Sequence, residues 1–168
     1  MNKFNFPKEY ILLILGAGIS IVTTLIINNV NNKHDQAKQD RSERIDFADS
    51  LMKGLSRRFS YVNEFYNAET NKDSTEIHRW KKLCDNLELI TATNAFYNTS
   101  RLRILFSDSL ERVYHKSLDD PLYYYNVNIL DTPFKKIDNV EIHRDRDTLD
   151  SALHRFGFII YKKAFKEN

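Results

Sequence analysis

The residues of this chain best suited to chemistry are basic, and they come in clusters. Arg101 and Arg103 follow directly on Thr99 and Ser100. If a helix begins there, its free amides, two hydroxyls and two guanidinium groups would converge on a phosphate or another anion. A second group, Arg144, Arg146, His154 and Arg155, surrounds Asp147, which reads as the cap of the last helix. The Asp147 carboxylate would oppose an anion, so this group ranks below the first. Arg57 and Arg58 form a third basic pair. Tyr97 and the run Tyr123–Tyr125 could stack on bases, although aromatic runs more often build cores. The competing reading of every cluster is a solvated face on which each arginine pairs with a neighbouring carboxylate, the common fate of surface charges.

Catalytic motifs are absent. The chain has four glycines, and Gly16 and Gly18 lie in an apolar run. Gly54 and Gly157 alone cannot build a phosphate-cradling loop or a dinucleotide fingerprint, and no GxSxG elbow occurs. The five histidines, His34, His78, His115, His143 and His154, show no HExxH or paired spacing, so no metal is expected. His34-Asp35 reads as solvated surface. His143-Arg144-Asp145 matches the kinase catalytic triplet, but the position that should be asparagine is Asp150 and no glycine loop precedes it. Cys84 is the single cysteine, which excludes an intrachain disulfide. The expectation is a non-enzymatic protein without a cofactor. A net charge of +2 over 168 residues argues against coating long nucleic acid, so any anion site is a local patch.

Helices must position these groups. From Ile11 to Ile27 runs ILLILGAGISIVTTLII, uncharged and about 26 Å long as a helix. With Tyr10 at one edge and Asn28-Asn29 at the other, it reads as a retained transmembrane anchor. The competing leader peptide lacks a small-residue cleavage site. Lys33, Lys38, Arg41 and Arg44 after the run, against Lys3 and Lys8 before it, place the following domain in the cytoplasm. Gly16, Ser20 and Thr24 recur on one face and suit self-association in a bilayer.

Beyond a polar stretch, Ile45, Ala48, Met52, Leu55, Phe59, Val62 and Tyr66 alternate at spacings of three and four. Phe47, Leu51 and Phe65 widen that seam into the face of a helix packed within its own domain, rather than a coiled coil. Asp73 and Glu76 form a capping box for a second helix, lined by Ile77, Trp80, Cys84 and Leu87. An interruption is expected near Asn98–Ser100. Asp120-Pro121 and Thr132-Pro133 each read as a cap followed by a first-turn proline. LYYYNVNIL between them is aromatic and β-branched, and a short β-hairpin with Val140–His143 is the alternative to an all-helical chain. Asp147 then opens a last helix with Leu149, Leu153, Phe156, Ile160 and Ala164 inward.

The expected fold is therefore mainly α: a tail (1–9), a transmembrane helix (10–28), a juxtamembrane linker (29–40) and a helical domain (41–168). In plan, with Ile11–Ile27 as span and Arg41–Asn168 as sensor, the chain resembles the membrane-anchored effectors of type III CRISPR antiviral defence. That resemblance implies a homo-oligomer at the cell (inner) membrane whose cytosolic domain binds cyclic oligoadenylate, a cyclic nucleotide. A symmetric polyanion suits a site to which several identical subunits each give an arginine. The alternative is a membrane-tethered helical adaptor that binds another protein.

Overall fold

A computed structural model describes residues 8–131 and 138–166, with side chains from residue 22 onward. The elements in chain order are α1 (Lys8–Asn71), α2 (Ser74–Leu105), α3 (Asp108–Tyr114), a π turn (His115–Asp119), α4 (Asp120–Leu130) and α5 (Asn139–Ala164). The chain divides into two units, residues 1–42 (with Asn168) and 43–167.

The described part of the first unit is the N-terminal portion of α1. The expected linker, residues 29–40, is helical within α1. Val22, Leu25, Ile26, Ile27 and Val30 are exposed. Among the described residues no helix is long and apolar enough to cross a membrane, which corrects the expected transmembrane helix. The uncharged run itself, Ile11–Ile27, is seventeen residues, below the roughly twenty a bilayer core calls for, and Asn28, Asn29, Asn31 and Asn32 follow it. Ile11–Ile21 of the expected span, with Gly16 and Ser20, lie outside the described side chains.

In the second unit the α1 seam packs inward. Ala48, Leu55, Val62 and Tyr66 are buried, as are Phe47, Leu51 and Phe65, while Ile45, Met52 and Phe59 lie against the same core. Leu102, Leu110, Leu118, Leu122, Phe156 and Ile160 complete it, each with no more than 2% of its surface exposed. Burying each such side chain contributes about 1.5–3 kcal/mol. Long-range hydrogen bonds fix the helices around it. Tyr125 donates to Asn63 Oδ1 at 2.6 Å, Tyr161 to Asp49 Oδ1 at 2.7 Å, and Tyr66 to Asn139 Oδ1 at 2.8 Å.

Several element boundaries differ from expectation. Asp73 does cap α2, accepting from the amides of Thr75 and Glu76 at 3.1 Å. The helix then continues through Asn98–Ser100 without a break and ends at Leu105, where Ser107 caps α3 through the Leu110 amide. The hairpin is replaced by helices, and no strand occurs among the described residues. LYYYNVNIL is α4, because Leu122, Tyr125, Asn126 and Ile129 recur with helical period and are all buried. Val140–His143 forms the first turns of α5, capped by Asp138, which accepts from the amides of Val140 and Glu141. Asp147 is an interior residue of that helix rather than its cap. Thr132-Pro133 lies outside the described residues.

Asp120-Pro121 does not start a helix afresh. Asp119 and Asp120 both have helical backbone angles, and Asp119 makes no side-chain cap to α4. Pro121 lacks an N–H and its ring crowds the carbonyl four residues earlier. That carbonyl belongs to Ser117, inside the π turn, where the wider loop of backbone accommodates it.

Candidate functional site

The π turn is the chemical centre of the compact unit. Arg58 projects from α1 and is 5% exposed; Asn126 of α4 is 2% exposed. With the Asn126 amide oriented to satisfy both its atoms, its oxygen accepts from Arg58 Nη2 at 3.1 Å and Nε at 2.6 Å, and its nitrogen donates to the Leu122 carbonyl at 3.1 Å. On its other side Arg58 Nη1 lies 3.9 Å from Asp119 Oδ1, which also accepts from the Tyr114 hydroxyl at 3.3 Å. Burial pulls the Arg58 guanidinium below its ordinary value, and the Asp119 charge pulls it back. Burial, reinforced by Asp119, pushes the Tyr114 phenol well above its usual range, so it remains a donor. Cys84, buried on α2, has its thiol pushed up to about 11 by desolvation, as suits an inert core residue.

His115 extends this network toward solvent. Its Nδ1 is 3.2 Å from Asp119 Oδ2, and its Nε2 is 3.0 Å from Thr99 Oγ1 and 3.6 Å from Glu111 Oε1. Thr99, expected to help hold an anion, is thus engaged with an imidazole.

Arg101 and Arg103 occupy the last turns of α2, not a helix start. The amides expected to converge on phosphate are bonded within the helix, and the nearby dipole end is negative, which favours cations and disfavours anions. Arg101 is ion-paired with Glu43 and lies 5.8 Å over the Tyr97 ring. Arg103 pairs with Asp108 at 3.2 Å and Glu111 at 3.4 Å. Ser100 is half-buried beside them.

The second cluster is spread along α5. Arg144 pairs with Glu141 at 3.4 Å and Asp145 at 3.7 Å, and Arg146 lies 3.7 Å from Asp147. His154 Nδ1 is 2.9 Å from the Asp150 carbonyl. Arg155 differs: among the described residues it has no ion-pair partner, and it lines a groove of about 980 Å³ between α3 with the π turn and α5. Lys116, equally without an ion-pair partner among the described residues, lines the same groove, as does Arg144. Val113, Leu149, Phe156 and Ile159 supply apolar lining; Ser117, Thr148 and Ser151 supply hydroxyls; Asp147 is the one carboxylate. Sequence reasoning named Arg144 and Arg155 but missed Lys116, Ser117 and Thr148. Only the π turn brings the first two to α5, and nothing in the local pattern marks it.

A smaller cleft of about 360 Å³ lies between α1 and α2, with Arg57, Arg58, Asn94, Asn98 and Tyr114 among its lining. Of the tyrosine run, Tyr125 is core, whereas Tyr123 and Tyr124 are exposed and contact each other edge to face. Compared with protein-family models, with curated proteins and with solved structures, the chain matches none.

Proposed function

We propose that the compact unit is a non-catalytic binding module that takes an anionic ligand with an apolar or aromatic portion in the groove between the π turn and α5. The observation that carries this reading is the pair Lys116 and Arg155. Both are without an ion-pair partner among the described residues, and both line one groove with an apolar floor and three hydroxyls. A phosphate there would gain charge-assisted hydrogen bonds without first displacing a carboxylate from either cation. The apolar lining would take a base or another flat group. Cyclic oligoadenylate has both parts and is the first probe.

Isothermal titration of the full chain with cyclic tetra-adenylate should show binding that weakens as salt rises. Lys116→Ala and Arg155→Ala should each reduce affinity about ten- to a hundredfold. An absence of binding by the wild-type chain would reject this ligand, and unchanged affinity in both variants would reject the groove.

A protein-binding reading is favoured by one other observation. Leu89, Ile90, Phe96, Tyr97 and Ile104 are exposed on α2, Phe96 to 83%. Their spacing gathers them on one side of that helix. An adaptor would use that side, and Phe96→Asp would then abolish partner capture while leaving the groove intact.

A further inference from the structure

We infer that His115, Asp119 and Asp120 form a divalent-cation site on the π turn. One ligand atom from each lies within 4.8 Å of the other two. In a regular α-helix, residue i+5 points roughly 140° away from residue i, and these three could not meet. The wider turn of His115–Asp119 brings residues i+4 and i+5 to either side of residue i, so that both carboxylates reach the imidazole. The sequence spacing alone hides this, which is why no metal was expected from it.

The ring is already oriented as a ligand. Metal-bound histidines commonly give their second nitrogen to a carboxylate or another acceptor. Here Nε2 faces Thr99 Oγ1 at 3.0 Å and the buried Glu111 carboxylate at 3.6 Å. With Nε2–H donated to that pair, Nδ1 and Asp119 Oδ2 are two acceptors facing each other at 3.2 Å. Such a pair calls for a positive charge between its members. Two atoms each about 2.1 Å from one ion and roughly at right angles lie about 3 Å apart, close to the spacing found.

The division of labour on Asp119 fits as well. Its Oδ1 is taken by the Tyr114 hydroxyl and by Arg58, leaving Oδ2 for the ion. Asp120 is exposed and has no polar partner among the described residues, so rotation about its own bonds can complete the set. Two carboxylates and a neutral imidazole balance a charge of two. The side chains of His115 and Asp119, 33% and 22% exposed, leave room for waters at the remaining positions. One nitrogen and two oxygens suit Mn²⁺ or Zn²⁺ ahead of Mg²⁺, whose dehydration is harder.

The competing arrangement puts the Thr99 hydroxyl proton on Nε2 and donates Nδ1–H to Asp119. It satisfies the ring without an ion and leaves Asp120 without a role. The test is titration of the chelator-stripped full chain with MnCl₂, followed by the electron paramagnetic resonance of free Mn²⁺, with thermal melts in parallel. One Mn²⁺ should be taken up per chain, and the ion should raise the melting temperature. Asp120→Asn should weaken uptake at least tenfold while leaving the melt of the stripped protein unchanged, and His115→Gln should abolish uptake. No uptake by the wild-type chain, or uptake unaffected in both variants, would overturn the site in favour of the hydrogen-bonded arrangement. None of the three ligands lines the groove, so a Lys116→Ala, Arg155→Ala double variant should still bind Mn²⁺. The two readings can therefore fail independently.

Discussion

The end of α2 and the groove between the π turn and α5 hold the same kinds of side chain, basic groups interleaved with hydroxyls, but they spend them differently. Glu43, Asp108 and Glu111 take up Arg101 and Arg103 in ion pairs. In the groove, Lys116 and Arg155 have no ion-pair partner among the described residues. An arginine's availability is thus set by which carboxylates the fold places within reach. At the end of α2 these come from α1 and from α3, neither adjacent to the arginines in sequence. Along α5, Arg144 meets Glu141 one turn away. No described carboxylate of α5 pairs with Arg155, although Asp150 lies within two turns.

The largest expected effect lies at a third arginine, which bounds this contrast from the interior. Arg58→Ala would leave the buried Asn126 without its partner and deprive the partly exposed Asp119 of its cation, and equilibrium denaturation should show a loss of about 3 kcal/mol. A loss below about 1 kcal/mol would mean that the interior network is as dispensable as a surface pair. Next come the groove cations. Lys116→Ala with Arg155→Ala should cost about a hundredfold or more in ligand affinity while leaving the denaturation midpoint in place, since neither makes an ion pair to lose. Smaller still is Arg101→Ala, which should lower stability by less than about 1 kcal/mol, because its pair with Glu43 is partly solvated and screened. Repeating that measurement at high salt should shrink the difference further. The smallest change runs the other way. Gly54 is an exposed position of α1 with open space where a side chain would begin, so Gly54→Ala should stabilise by about 0.5–1 kcal/mol. At Gly157, by contrast, an added Cβ would meet Met52 Cε at 3.0 Å, and the gain should be reduced or reversed.

Much of the scaffold was legible. The α1 seam, the cap at Asp73 and the apolar stripe of α5 follow from period and capping chemistry, and each lies where expected. Three local signals misled. Asn98-Thr99-Ser100 is a poor helix former by composition, yet packing on both sides carries α2 through it, with Leu102 fully buried just beyond. Three consecutive tyrosines and a valine suggest a strand, but Leu122, Tyr125 and Ile129 already spell a helical face. Asp147 reads as the cap of the last helix, although Asp138 and Glu141 repeat the spacing of Asp73 and Glu76. These boundary errors moved the expected site. Once α2 has no start at Ser100, the amides that favoured Arg101 and Arg103 are gone. The groove was only half visible because it depends on the π turn. That turn follows from a proline placed where a straight helix cannot hold it, and its consequences for Lys116 and His115 are three-dimensional.

Cations without an ion-pair partner among the described residues, rather than clustered ones, would mark the binding surface. The most direct test measures the affinity of the full chain for cyclic tetra-adenylate in two single variants side by side, Arg155→Ala and Arg101→Ala, with the wild type as reference. Arg155→Ala should weaken binding at least tenfold while Arg101→Ala stays within about threefold of the wild type. Equal losses in both, or a larger loss in Arg101→Ala, would contradict it.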